Sequence, residues 1–167
     1  MARERAAIRD FCAGLDEATL RRAPLRGGWS ALEVLEHVGL VERNVLEILL
    51  RAPAGAGPRL VVGVLPAAIR ALPPQWRLTL VANRFGRAVA PRPTEPRGEC
   101  SPVDLLHEIE ATRHATLAAL ENLQALQLAS IRRVHAVLGE MNGLEWLDFV
   151  AAHDRRHLAQ IRAGLRG

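Results

Sequence analysis

Apolar residues recur every three or four positions in four stretches of the chain, the spacing that places them on one face of a helix. Two of these stretches follow Ser30 and Ser101, and a third follows Asn142 and ends at Gly164. The fourth is the N-terminal segment, in which the helix could be interrupted near Gly14 and stops before Pro24. The pattern therefore predicts four amphipathic helices.

Three of the predicted helices begin with a capping box, in which a polar residue and an acidic residue three positions later satisfy free backbone amides. The pairs are Ser30 with Glu33, Ser101 with Asp104, and Asn142 with Glu145. Pro102, at the first helical position after Ser101, has no amide hydrogen to leave unpaired. These signals predict the helix starts independently of the apolar spacing.

A long segment, residues 52–100, separates the second predicted helix from the third and is too long for an ordinary loop. Within it, Leu60–Leu72 fits a short helix, WRLTLVANRFG is compatible with a strand or a helix, and Pro91–Gly98 predicts extended chain. Short connections make neighbouring helices antiparallel, whereas a long one permits a crossover. We therefore expect an all-α fold, a four-helix bundle with one long crossover connection between the second and third helices. Residues 1–167 are expected to form it as a single domain.

Composition supports the helical prediction. Aromatic residues make up 4% of the chain and tyrosine is absent, so the apolar content rests on Leu, Ala and Val. This balance favours helices over a sheet-rich core.

The chain is basic, with a formal net charge of +4 in which every cationic side chain is arginine. A basic protein can bind nucleic acid or anionic lipid. The arginines, however, are spread along the chain, and aromatic side chains that could stack on bases are scarce. A solvated surface is the preferred interpretation, and we expect no nucleic-acid partner.

The N-terminus and the cysteines indicate the compartment. MARERAAIRD is charged throughout and lacks the apolar stretch of a secretory signal. The most apolar segment, LVVGVLPAAI, is too short to span a bilayer and contains Pro66. Cys12 and Cys100 lie far apart and form neither a disulfide framework nor a redox motif. We therefore expect a cytoplasmic protein with no membrane partner.

His153 and His157 lie four residues apart in the last predicted helix, so both imidazoles project from one face on successive turns. They continue an apolar stripe from Trp146 to Ile161, which predicts that they face inward, whereas Asp154 and the two arginines after it fall largely off the stripe. Unpartnered imidazoles are costly to bury unless hydrogen bonds or a metal ion satisfy them. A catalytic zinc site would need a third protein ligand from elsewhere in the chain.

Other histidines are candidates for that third ligand. His37 continues the apolar stripe of the second helix and leads on geometry, with His107 of the third helix next. His114 has charged neighbours and is expected at a solvated position, and His135 lies in a predicted loop. The residues alone leave His37 and His107 both open, and they leave open whether a metal is bound.

Two stretches of the chain resemble the DinB/YfiT-like superfamily. GGWSALEVLEHVGLVERN is similar to its Trp-Ser helix start that leads to a histidine, and VHAVLGEMNGLEWLDFVAAHDRRHLAQI is similar to its closing segment. The closing motif is fairly specific, whereas the middle agrees only in pattern. Ala136 follows His135 where the family often has proline, a loop variation. Asp154 follows His153 where glutamate is common, a conservative change.

The resemblance implies a four-helix bundle with a long crossover and a divalent metal held by three histidines, here His37, His153 and His157. It thereby removes His107 from the ligand set. Zinc is the first expectation, with nickel, iron or manganese as alternatives. Glu33 and Gln160 are candidates for orienting a ligand or lining the site, although capping or surface roles fit them better.

The family's activities imply a small-molecule substrate and a metal that activates a thiol or water as nucleophile. The expected function is therefore a metal-dependent thiol transferase or hydrolase. A low-molecular-weight thiol such as bacillithiol, mycothiol or glutathione is a candidate cofactor. The alternative is a non-catalytic stress-response or interaction bundle whose metal site is structural or vestigial. A homodimer is also consistent with the family.

Overall fold

The computed structural model describes residues 2–25, 27–50, 72–82, 90, 92–123, 125–135 and 138–166. Within these residues the chain is mostly helical, in agreement with the predicted all-α class. The helices are α1 (Ala2–Ala13), α2 (Glu17–Arg21), α3 (Ala31–Leu50), α4 (Pro74–Ala82), α5 (Pro102–Glu121), α6 (Ala125–Ser130) and α7 (Gly143–Arg166). The other described elements are the strands β1 (Arg132–His135) and β2 (Gly139–Asn142) and a 3-10 turn at Arg92–Thr94. None of the helices in the described ranges combines the length and the apolar content needed to cross a membrane.

The three predicted caps set the starts of α3, α5 and α7, with the full capping box at α3 and α7 and one half of it at α5. At α3 the Ser30 amide donates to a carboxylate oxygen of Glu33 at 2.8 Å, and the Glu33 amide donates to the Ser30 hydroxyl. The same two amide bonds join Asn142 with Glu145. At α5 the Asp104 amide donates to the Ser101 hydroxyl, while the Asp104 carboxylate accepts from that hydroxyl. Because these caps fix where each helix begins, they also fix which residues lie on its inward face.

Helix α7 continues past Gly164, where the sequence predicted its end. A Cβ atom at Gly164 would lie 3.2 Å from a side-chain carbon of Pro24. The glycine therefore lets the chain that precedes α3 pass close to α7, and it does not end the helix.

An antiparallel hairpin of β1 and β2 precedes α7, in a stretch predicted to be a loop. His135 pairs with Gly139, whose φ of +81° is available to glycine without strain. Each strand has only four residues, too few for an alternating pattern to stand out in the sequence. The hairpin buries Leu138 and Met141 against the apolar face of α7.

Helix α3 is central to the packing, because it contacts both α5 and α7, and α7 also contacts α1 and α4. The buried apolar side chains form two clusters. Along α3 the first cluster ends at Val38 and the second begins at Val41, and along α7 the two are separated between Val150 and Ile161. The buried polar side chains of both helices fall at this boundary, so a polar layer separates the two apolar clusters.

The end of the crossover is bonded to α3 and α2. The amides of Arg97 and Gly98 donate to one carboxylate oxygen of Glu36 at 3.0 and 2.8 Å, and Arg21 donates to the Gly98 carbonyl. Gly98 has φ +69°, and a Cβ there would lie 3.1 Å from a side chain of α3. Glycine thus allows the close approach that holds the turn Arg92–Thr94 against α3.

Three of the sequence predictions concern the crossover. Helix α4 resolves WRLTLVANRFG in favour of a helix as far as Ala82. Pro91–Gly98 was predicted to be extended, yet Arg92–Thr94 forms a 3-10 turn, because the fixed φ of proline suits either conformation. The short helix predicted at Leu60–Leu72 lies outside the described residues, apart from Leu72.

Candidate metal centre

Three histidines from α3 and α7 meet in the buried polar layer. His37, His153 and His157 are 5%, 8% and 6% exposed. The Nε2 atom of His153 lies 3.2 Å from Nε2 of His37 and 3.1 Å from Nε2 of His157. Among the described residues this is the one group of three metal-ligating side chains close enough to share an ion.

The spacing of these nitrogens fits a single small ion. Zinc binds imidazole nitrogen at about 2.0–2.1 Å in tetrahedral sites, which places two such nitrogens about 3.3 Å apart. The observed separations of 3.1 and 3.2 Å are close to that value. Two of the three separations therefore match those of ligands to one ion, and ligand nitrogens of all three rings lie within 4.8 Å of one another.

Hydrogen bonds on the far side of two rings fix their tautomers. Nδ1 of His37 lies 2.6 Å from the Thr94 carbonyl oxygen, which can only accept, so this nitrogen carries the proton. Nδ1 of His157 donates in the same way to Oε1 of Gln160 at 3.0 Å. In the neutral rings Nε2 then has a free lone pair aimed at the shared centre. Metal-binding histidines are oriented by this kind of bond.

The two nitrogens of the third ring, that of His153, have different surroundings. Its Nδ1 atom is buried and has no hydrogen-bond partner within the part of the chain that the structure describes. Its Nε2 faces two other Nε2 atoms, and a single proton can satisfy only one of those contacts. When the proton of His153 is on Nδ1, three lone pairs converge, and these match a cation better than they match one another.

Burial keeps all three imidazoles neutral near pH 7. Loss of hydration lowers the pKa of His157 to about 3 and lowers the pKa of His153 well below 6.5. Burial also lowers the pKa of His37, against the hydrogen bond to Thr94, which raises it. Metal ligation needs the neutral ring, so these shifts favour an ion over protons at the centre.

Aromatic rings wall the cluster on two sides. The Trp29 ring centroid lies 4.8 Å from that of His37, and the Phe149 centroid lies 5.3 Å from that of His153. Such walls restrict the rotation of the imidazoles and exclude water from them.

The other histidines lie elsewhere. His107 and His114 project from α5 into solvent, which agrees with the prediction for His114 and removes His107 as a ligand on exposure alone. His135 is in the hairpin, where its Nδ1 accepts from the Leu138 amide and its ring packs on Phe149. Burial lowers the pKa of His135 to about 4.

The two residues considered as neighbours of the ligands have different roles. Gln160 bonds His157 and so orients a ring of the cluster. The carboxylate of Glu33 accepts from Ser30 in the cap of α3, which is the role that the sequence pattern favoured for it. Thr94 orients His37 through its backbone, and nothing in the sequence marks that contact because it joins residues far apart in the chain.

A second polar group lies beside the histidines and was missed by sequence reasoning. It is made of one charged residue from each of α1, α3, α5 and α7, namely Arg5, Glu42, Arg113 and Asp154. Oε2 of Glu42 lies 3.1 Å from Nη2 of each arginine, and Oδ1 of Asp154 lies 3.0 Å from Arg5. Asp154 was predicted to lie largely off the buried stripe, yet it is fully buried. One residue in the sequence did indicate this polar group, because Glu42 is a charged residue within the apolar face of α3.

Opposing effects act on the pKa of the buried Asp154 carboxylate. Burial raises its pKa to about 6, although the charges of Arg5 and Arg113 act to lower it. Burial also lowers the pKa of Arg113, against the attraction of Glu42. Two cations and two anions in one layer compensate each other, which is the condition under which charges can be buried.

A groove of about 430 Å³ lies between α3, α5 and residues 92–100, and none of the three histidines lines it. Its lining mixes carboxylates and arginines with the thiol of Cys100. Burial and the nearby charges of Glu36 and Glu108 raise the pKa of this thiol. A raised pKa disfavours the reactive thiolate, so the groove does not present an activated nucleophile.

Comparisons with known proteins give the family of the chain. A family model described as the DinB superfamily matches residues 1–161. The chain is 25% identical over 150 residues to a Bacillus subtilis (strain 168) protein named "Uncharacterized protein YuaE", covering 89% of this chain and 85% of that protein. No solved structure matches the chain.

Proposed function

The chain belongs to the DinB superfamily, and from that membership we propose that it binds a divalent metal ion through His37, His153 and His157. The observation that carries the proposal is the convergence of three buried Nε2 atoms at 3.1 and 3.2 Å. The fixed tautomers of His37 and His157 support it, because they leave lone pairs facing the centre. Zinc is the preferred ion, and nickel, iron and manganese accept the same nitrogen ligands.

We further propose that the bound ion serves a reaction, as a thiol transferase or hydrolase acting on a small molecule. Within the described residues the group of ligating side chains has three members, which leaves a coordination position for an exogenous ligand. When bound, the ion would supply the positive charge that makes a thiol or water nucleophilic near neutral pH. A low-molecular-weight thiol is the proposed cosubstrate.

The residues of the chain would contribute orientation and a dry environment. Thr94 and Gln160 hold two of the rings by their Nδ1 atoms, so the Nε2 atoms stay aimed at one point. Trp29 and Phe149 limit the access of water to the same point. A preorganised, water-poor centre strengthens electrostatic interactions with a substrate.

The proposal includes the bundle in which the centre is built. We propose that α1, α3, α5 and α7 form a four-helix bundle with residues 52–100 as its crossover, and that residues 1–167 form one domain. The contacts of α3 with α5 and α7, and of α7 with α1, support this arrangement.

One observation favours a second candidate, a closed metal site in a non-catalytic protein. All three histidines are at least nine-tenths buried, and the groove of about 430 Å³ lies apart from them. A structural site is closed, whereas a catalytic one keeps a position open to solvent ligands.

Metal analysis of protein purified without an affinity tag tests the first step. We expect one equivalent of divalent metal in the wild-type protein, a large loss in His153→Ala, and no loss in His114→Ala, which removes an exposed histidine of α5. Wild-type protein that takes up no stoichiometric metal under any condition would overturn the proposal.

Addition of a small thiol to Co²⁺-loaded protein then separates the two candidates. A changed visible spectrum, followed by rate enhancement with a panel of thiols and electrophiles, supports the enzyme. An unchanged spectrum and no rate enhancement support the closed site.

A further inference from the structure

A buried arginine joins the two helices that carry the histidines. Arg5 of α1 is 3% exposed, and its Nη2 atom lies 3.0 Å from the carbonyl oxygen of Val38 and 3.0 Å from Oδ1 of Asp154. Val38 directly follows His37, and Asp154 directly follows His153. One guanidinium therefore contacts both α3 and α7 one residue away from a histidine.

The meeting of the three nitrogens depends on how α3 is set against α7. His153 and His157 share one helix, so the helix itself determines their relative position. His37 stands on the other helix, and its Nε2 lies 3.2 Å from that of His153. Ligand distances in a metal site are held to within about 0.2 Å, so a shift of about 1 Å between the helices would remove one ligand. Contacts that join α3 to α7 near the three histidines therefore decide whether the centre forms.

We propose that Arg5 is a positioning residue for the three-histidine centre. It holds His37 at the correct distance from His153 by donating a hydrogen bond to the backbone of α3 and forming an ion pair with a carboxylate of α7. This inference rests on the metal binding proposed above. A third contact supports the geometry, because Oε2 of Glu42 on α3 lies 3.1 Å from the same Nη2 atom. All three contacts are made by Nη2, which donates a hydrogen bond to the Val38 carbonyl and attracts the carboxylates of Asp154 and Glu42 by its charge. A lysine ammonium keeps the charge but sits on a flexible stem, so it would hold this position less well.

The charge of Arg5 acts in the opposite direction to its proposed role. Its positive charge lowers the pKa of His37, of His153 and of His157, although burial is the larger cause at each. The same repulsion disfavours a divalent cation at the centre. Charge alone therefore predicts that loss of Arg5 tightens metal binding, whereas a positioning role predicts that it weakens metal binding. The sign of the change distinguishes the two effects.

Arg113 provides a matched control. It is 8% exposed, and its Nη2 atom lies 3.1 Å from Glu42 and 3.7 Å from Asp154, so it shares both carboxylates with Arg5. It projects from α5, which carries none of the three histidines. Replacement of Arg113 removes the same charge from the same buried layer and leaves the bond from Arg5 to Val38 in place.

The test is a titration with Co²⁺, whose visible spectrum reports the coordination geometry. Wild-type protein, Arg5→Met, Arg5→Lys and Arg113→Met are compared, and urea unfolding of each metal-free form is measured in parallel. We expect Arg5→Met to bind Co²⁺ about tenfold or more weakly with an altered spectrum, since partners behind metal ligands contribute about 10–100-fold. The Co²⁺ affinity of Arg5→Lys should lie between those of wild type and Arg5→Met. The affinity of Arg113→Met should stay within about threefold of wild type, even where its stability falls.

The outcomes separate this inference from the proposed function. Binding by Arg5→Met that equals or exceeds wild type overturns the positioning role and leaves metal binding intact. An equal loss in Arg113→Met also overturns it, because the effect would then be one of general stability. If Arg5→Met does not fold, Arg5→Lys decides: unchanged affinity overturns the role, and weaker binding at retained stability supports it. No Co²⁺ uptake by wild-type protein overturns both the inference and the proposed function.

Discussion

At the scale of single residues, the candidate centre depends on which nitrogen of each imidazole carries the proton. The helical spacing of His153 and His157 and the apolar stripe around His37 were enough to predict that these rings face inward. The groups that orient the rings were harder to predict, because the Thr94 carbonyl that bonds His37 lies 57 positions away in the sequence. Burial of Asp154 was missed for a related reason: its partners, Arg5 and Arg113, come from two other helices.

The bond from His157 to Gln160 gives a prediction about metal affinity. Gln160→Leu removes the acceptor that lies 3.0 Å from Nδ1 of His157. The His157 ring can then rotate, and its Nε2 no longer points at the centre. We expect metal affinity to fall about tenfold, the lower end of the range for such partners. Gln160→Glu keeps an acceptor and should bind at least as tightly as wild type. A competition titration against a chromophoric chelator measures both, and equal affinity of Gln160→Leu and wild type would contradict the role.

Buried histidines also predict how stability depends on pH in the metal-free protein. Burial lowers the pKa of His37 and His153, that of His135 to about 4, and that of His157 to about 3, from 6.5. The unfolded chain therefore binds more protons below about pH 6.5, and each extra proton lowers the free energy of unfolding by about 1.4 kcal/mol per pH unit. Asp154 has the opposite effect on the free energy of unfolding, because its pKa is raised to about 6 in the folded protein. It is one group, however, against four histidines.

We therefore expect the urea midpoint of the metal-free protein to fall as the pH is lowered from about 7 to 5. His135→Leu, which removes one of the four groups away from the centre, should show a shallower fall. A midpoint that stays constant or rises over this range would mean that the imidazoles are not buried in their neutral form.

At the scale of elements, the helices that carry the site were predictable because their signals are local. Capping boxes and apolar spacing lie within a few residues of each other, and α3, α5 and α7 begin where these signals placed them. The hairpin and the short helix α6 were not predicted, since elements of four to six residues leave too few periods to recognise. Gly164 was misread because its small size serves a contact with Pro24 from a distant part of the chain.

The junction of α6 and α7 supplies a prediction at this scale. A Cβ atom at Gly143 would lie 2.6 Å from the carbonyl oxygen of Leu128, a backbone atom that cannot turn aside. Gly143→Ala should therefore lower the free energy of unfolding by about 1–3 kcal/mol, as overpacking does. Gly14→Ala is the control, because its new Cβ would meet only ordinary contacts of 3.7 Å or more. Urea unfolding in which both variants match would show that the Leu128 backbone moves at little cost.

At the scale of the whole molecule, the polar layer between two apolar clusters joins every long helix. Arg5, Glu42, Arg113 and Asp154 come one from each of α1, α3, α5 and α7, and the three histidines lie in the same layer. Binary patterning predicts which helix faces turn inward but not which buried polar residues meet, because that depends on axial position in the assembled fold. Buried charges of this kind tolerate few alternative packings, since any slip leaves a charge unpaired.

A metal ion at the centre would link α3 to α7, so it should stabilise the entire fold. His37 lies on one helix and His153 and His157 on the other, and the unfolded chain does not hold them together. At a metal concentration 100 times the Kd, the free energy of unfolding should rise by about 2.7 kcal/mol. For a chain of this length that corresponds to a rise in Tm of about 5–10 °C. Thermal unfolding of chelator-treated protein with and without Zn²⁺ measures the shift, which should vanish in His153→Ala and persist in His114→Ala. A shift that survives in His153→Ala would locate the stabilising ion away from the three histidines.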